Sequence, residues 1–182
     1  MLRKIREKIA KAVVPDCGGL WKVRTTVEKY HEDIAPFSGR EGEFYRKFRP
    51  YDVVVAERNG LLNEGINELW ALICGGTATA YNNANTRLGV GDSSAAFDAT
   101  HTDLQAATNK LFKAMDTGFP TYGSAQKATF RASFTSSEAN WGWNEWGLDN
   151  GGTGLKNMNR KVETLGTKST GTWVLTVEIT LS

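Results

Sequence analysis

The sequence predicts a mainly β chain of the α+β class: an antiparallel sheet or sandwich packed with one helix, preceded by an amphipathic helical arm. Three observations carry this. Apolar and polar residues alternate strictly over ATFRASF and TWVLTVEITL, the period of a half-buried strand. Short segments of this kind are separated by turn residues at roughly ten-residue spacing, as in antiparallel sheets. One segment alone in the body, LLNEGINELWALIC, has convincing helical spacing, and Gly75–Gly76 close it. The chain of 182 residues fits one domain with an appended arm and is long enough to bury a proper core.

The arm comes first. In residues 2–13, Leu2, Ile5, Ile9, Ala12 and Val13 fall at helical spacing, surrounded by Arg3, Lys4, Arg6, Glu7, Lys8 and Lys11, and Pro15 ends the segment. Residues 1–58 hold 13 Lys/Arg against 9 Asp/Glu, a net +4, while the remainder holds 9 against 11, a net −2. The excess sits in MLRKIREKIAK, and the overall charge of +2 is too mild to argue for nucleic acid. Three turns without an aromatic suit a membrane surface poorly. An acidic protein surface or a neighbouring subunit suits them better, with Leu2, Ile5, Arg6 and Ile9 as contacts; packing on the chain's own body is the other reading. No run of about 18 apolar residues and no apolar signal core occurs, so neither a membrane span nor secretion is expected, and synthesis in a cytosol is. Cys17 and Cys74 have no metal-like spacing and read as two buried free thiols, with a disulfide between them as the other reading.

LWKVRTTVEKY, residues 20–30, alternates as a strand. HEDIAPFSGREGEF reads as a loop from its Pro, Ser and Gly content, and YRKFRPYDVVVAE as a second extended stretch with Pro50 marking a sheet edge or bend. The helix at residues 61–74 places Leu62, Ile66, Leu69 and Ile73 on one face, a stripe suited to plugging the open face of a sheet. KLFKAM, QKATFRASF, EANWGWNEWGL, LKNMNRKV and TWVLTVEITL follow as strands, and LDNGGTGL as a hairpin connection whose Asn and Gly accept positive φ.

Chemistry is sparse. His31 and His101 are the two near-neutral bases, and HExxH, paired-cysteine and GxSxG motifs do not occur; GGTGLK lacks the GK[ST] ending of a phosphate loop. His101, in DATHTDLQ, reads as a loop residue beside a helix cap. Asp92, Asp98 and Asp103 do not match the alternate-position ligands of a calcium loop and read as caps of turns and helix starts. No catalytic, cofactor or metal site is expected.

SEANWGWNEWGLDNGG brings Trp141, Trp143 and Trp146 together. In a strand, Trp141 and Trp143 share one face and Trp146 takes the other, so a single row of rings requires a bulge. Core, subunit contact and sugar-stacking platform are the three readings. Trp146 is the candidate for an interface contact, and Trp141 with Trp143 for glycan stacking.

TRLGVGDSSAAFDATHTDLQA, ATFRASFTSSEANWGWNEWGLDNGG and NRKVETLGTKSTGTWVLTVEITL together resemble a recurrent module of tailed-bacteriophage virion proteins. The resemblance covers roughly residues 59–182 and carries no catalytic residues. It implies a non-enzymatic virion building block, foremost a capsid decoration protein. Such a protein binds the major capsid protein and neighbouring copies of itself as a homotrimer or other symmetric oligomer. A tail or fibre part that attaches to host glycans is the alternative. On this basis residues 1–58 are expected to form the arm and linking strands, and residues 59–182 the body, located on the virion without nucleic-acid or membrane contact.

Overall fold

The computed structural model describes residues 21–151 and 154–181, which form a sandwich of two five-stranded antiparallel sheets. The expected mainly β, antiparallel class is therefore observed. The amphipathic segment with Leu2, Ile5, Arg6 and Ile9 lies outside the described residues, as does Cys17.

The first sheet runs β2 (Asp52–Glu57), β1 (Lys22–Tyr30), β10 (Thr172–Thr180), β7 (Lys127–Phe134), β6 (Thr121–Ser124). The second runs β3 (Gly60–Leu61), β9 (Asn157–Thr167), β8 (Gly142–Asp149), β4 (Arg87–Gly91), β5 (Lys110–Ala114). The alternation read from the sequence sets which face is inside. Phe130, Ala132 and Phe134 of β7 meet Trp173, Leu175, Val177 and Ile179 of β10, opposite Leu88, Val90 and Leu148 of the second sheet.

The first sheet draws two of its strands from residues before 58. β1 lies between β2 and β10 and pairs with β10 along its whole length, Lys22 opposite Thr180 through Tyr30 opposite Thr172. Residues 22–57 thus supply two strands of the first sheet and belong to the sandwich. Pro50 precedes the edge strand β2, as its place at an edge or bend requires.

A second helix stands where a loop and an extended stretch were expected. A 3-10 turn at Ala35–Phe37 leads into α1, Glu41–Lys47. Glu41 and Glu43 occupy its first turn and Arg46 and Lys47 its last, complementing the peptide dipoles at both ends. Phe44, fully buried, meets Tyr30, Phe37 and Phe48 at ring-centroid distances of 5.1, 5.6 and 5.1 Å. With Ile34 and Val174 these rings make a small second core on the outer face of the first sheet.

The expected helix is α2, Asn63–Ile73, lying over β9. Its hold on the sheet is concentrated at the N-terminal end. Leu62 N donates to Met158 O at 3.0 Å and Glu64 Oε1 accepts from Asn157 N at 2.7 Å. Gly65 sits so close to Met158 that a Cβ there would lie 2.4 Å from the Met158 Cα. Gly75, with φ of 74°, and the bond from Gly76 N to Ala71 O end the helix in the left-handed turn its glycines suggested. The apolar stripe, however, does not stay covered: Leu62 is buried, Ile66 and Leu69 are half-buried, and Ile73 is 73% exposed. Cys74, at the C-cap, is an exposed thiol and not the buried one expected. Among the described residues no helix is long and apolar enough to cross a membrane.

Candidate interaction surfaces

The tryptophan stretch is core. Trp143 and Trp146 are both 0% exposed and belong to one buried cluster despite their opposite parity. The β8–β9 register shifts between Trp143 and Glu145, the bulge a shared core demands. Trp143 donates from Nε1 to Ala139 O at 3.0 Å and packs edge-on to Phe134 and Trp173 at 4.8 and 4.9 Å. Trp141 is half-buried against the same cluster. Trp146 therefore offers no surface to a subunit, and Trp143 none to a sugar; both assignments are corrected by the depth at which the slipped register places the rings.

Lys168 shapes the turn that leads into this strand. Its Nζ donates to Thr135 O, Glu138 O and Asn140 Oδ1 at 2.7, 2.9 and 2.8 Å. Burial pushes its ammonium down to about 8, against the opposing fields of Glu138 and Asp33.

On the outer face of the second sheet, residues 92–109 cross without helix or strand. Glu145 and Arg160 hold them down. The Glu145 carboxylate accepts from Gln105 N, Ala106 N and Arg160 Nε at 3.0, 2.7 and 2.6 Å. Arg160 also donates to Ala95 O at 2.9 Å, and its Nη1 lies 3.4 Å from His101 Nδ1. His101 is thus a loop residue over a buried ion pair, with no helix following it. Asp98 caps a turn through Thr100 N and Oγ1, Asp103 pairs with Lys110, and Asp92 accepts from Asn109. No cluster of three potential ligands forms among the described residues.

A polar group also links α1 to β7. Tyr45 Oη and Ser133 Oγ are 2.8 Å apart, Ser133 Oγ donates to Asp116 Oδ2 at 2.7 Å, and Arg131 Nε donates to the same oxygen at 3.0 Å. Burial raises the Asp116 carboxyl, opposed by the Ser133 and Arg131 contacts. Ser133 has no imidazole partner for proton removal. His31 is elsewhere, stacked on Tyr51 at 4.1 Å. The cluster ties the helix to the sheet.

Sequence reasoning missed what the surface exposes. In β2, Val54 and Ala56 turn inward while Val53 and Val55 face out, opposite Glu28 and Thr26 of β1, and the strand's other edge is unpaired among the described residues. Tyr51, Val53 and Val55 are all exposed there. At the opposite edge, Tyr122 of β6 is 82% exposed. The third apolar region is a groove of about 240 Å3 at one end of the sandwich. Trp21, Leu69, Phe130, Met158, Ile179 and Leu181 line it. Pro50 marked a sheet edge or a bend in the sequence; the edge position turns half of DVVVAE into surface.

No family model, curated protein or solved structure matches the chain.

Proposed function

We propose that this chain is a non-enzymatic virion structural protein, a capsid decoration protein that binds the assembled shell of the major capsid protein. The observation that carries the reading is the β2 edge: a strand with one edge unpaired among the described residues, whose outward side chains are Val53 and Val55, with Tyr51 beside them. Such an edge is a template for another chain, because main-chain groups supply affinity and alternate side chains supply register. Exposed aliphatic and aromatic residues grouped on one edge suit docking on a protein surface. The resemblance of residues 59–182 to phage virion modules gives the surface its partner. A ligand that binds only the assembled lattice stabilises it by mass action at every site. Symmetric self-association, as a trimer or another closed oligomer, places several such edges on the shell at once.

The tail or fibre alternative drew on Trp141 and Trp143 as stacking rings, and burial of Trp143 removes that pair. Mixing the purified chain with bare heads of the tailed phage that encodes it, followed by negative-stain imaging, tests the proposal. Added density at fixed lattice positions is the expected result. Bare heads beside free protein would overturn it.

A further inference from the structure

The four most exposed large apolar side chains among the described residues gather at one end of the sandwich. Tyr122, Ile73, Trp70 and Leu181 are 82, 73, 60 and 55% exposed. Leu181 lines the apolar groove directly, and Tyr122 precedes Gly123, another of its walls. Leu69 of α2 lines it too; Ile73 lies one helical turn beyond Leu69, and Trp70 neighbours Ile73 three residues back. The groove thus has two apolar banks, the β6–β7 turn and α2. We propose that a second copy of this chain covers it in a two-fold symmetric dimer, with Tyr122 of each copy packed on Ile73 and Trp70 of the other.

Three observations choose this occupant. The first is charge. Residues 69–86 and 117–126 contain no Asp, Glu, Lys, Arg or His. Lys127, the one charged residue in the groove lining, is held by Glu178. A two-fold contact sets a patch against its own likeness, so a neutral patch meets no repulsion there, whereas an acidic or basic partner finds no counter-charge. The second is shape. The same patch holds a hollow of about 240 Å3 and, beside it, projecting side chains. In such a contact each bank meets the opposite bank of the other copy, so projection and hollow are matched twice. The third is area. At ~150–250 Å2 for an aromatic side chain, the four exposed residues offer on the order of 500 Å2 on each copy, over half of the ~800 Å2 a side in a standard interface. An apolar patch of that size marks an interaction site.

The dimer stands independently of the shell reading. β2 lies at the opposite edge of the first sheet from β6, and the test contains no capsid.

Sedimentation velocity of the full chain, from low to high micromolar, tests the proposal in reducing buffer, which keeps exposed Cys74 from cross-linking copies. Reversible dimerisation of wild type is expected. Tyr122→Lys and Ile73→Glu, both at exposed positions and so expected to keep wild-type Tm, should each weaken it at least tenfold. An equimolar mixture of the two variants should regain the dimer. The new ammonium on one chain then faces the new carboxylate on the other, while the second Tyr122–Ile73 contact stays intact. A wild type that stays monomeric would assign the groove to another part of the chain or to a different protein and overturn the proposal. So would undiminished dimerisation of either variant, or a mixture no more dimeric than its components. Val53→Lys/Val55→Lys is the control and should dimerise as wild type does; loss of the dimer there would move self-association to the β2 edge and equally overturn it.

Discussion

Glu145 and Arg160 meet at 2.6 Å with their side chains 0% and 1% exposed, so an ion pair is sealed between the second sheet and the strap that crosses it. The two charges satisfy one another and also five groups of residues 95–106, counting the His101 contact. Such a pair is costly to bury and more costly to break, because removing one member leaves the other unpaired away from water.

Arg160→Met is therefore expected to destabilise the fold by about 3–5 kcal/mol. That corresponds to roughly 6–20 °C in Tm for a domain of this size. Glu145→Leu/Arg160→Met together should cost less than Arg160→Met alone. Differential scanning fluorimetry reads the first effect, and limited proteolysis within residues 92–109 reads the freed strap.

Gly65→Ala reverses the ordinary helix rule. In an open helix the change stabilises by about 1 kcal/mol. Here the new Cβ would lie 2.4 Å from Met158 Cα and 2.5 Å from its carbonyl oxygen, both backbone atoms. A loss of about 1–3 kcal/mol is expected, with α2 lifted from β9. Chemical denaturation checks the sign.

Trp146→Ala should cost about 3–5 kcal/mol as a core truncation. Polysaccharide should leave the fluorescence of the buried Trp143 and Trp146 unchanged. Acrylamide quenching of single-tryptophan variants separates these rings from exposed Trp70.

Lys168 gives a pH signature. Its folded pKa, about 8, lies below its ordinary 10.5. Between these values the unfolded chain binds more protons than the folded one, so stability rises with pH there. Relative to Lys168→Met, wild type should gain Tm from pH 8 to pH 10 and show no such gain from pH 6 to pH 7.

Much of the sandwich was legible. β7 and β10 could be read because Phe130, Ala132 and Phe134, and Trp173 through Ile179, keep strict alternation with polar neighbours, and alternation is what one buried face imposes. α1 was hidden because its seven residues include Gly42 and follow a Pro- and Gly-bearing loop; the charge order from Glu41 to Lys47 was the signal available. The fate of Trp143 and Trp146 depended on a register slip between two strands, a property of pairing that one strand's sequence does not encode. Pro50 signalled a sheet edge or bend, but whether Val53 and Val55 are covered depends on which strand lies beyond β2.

In the proposed function the β2 edge docks this chain on a larger protein assembly, and quantitative pelleting with bare phage heads compares wild type with Val53→Lys/Val55→Lys. Both side chains face out, so the variant should keep wild-type Tm. Saturable binding of wild type is expected, with at least a tenfold weaker affinity for the variant. Equal binding by both proteins, or none by wild type, would refute docking through this edge.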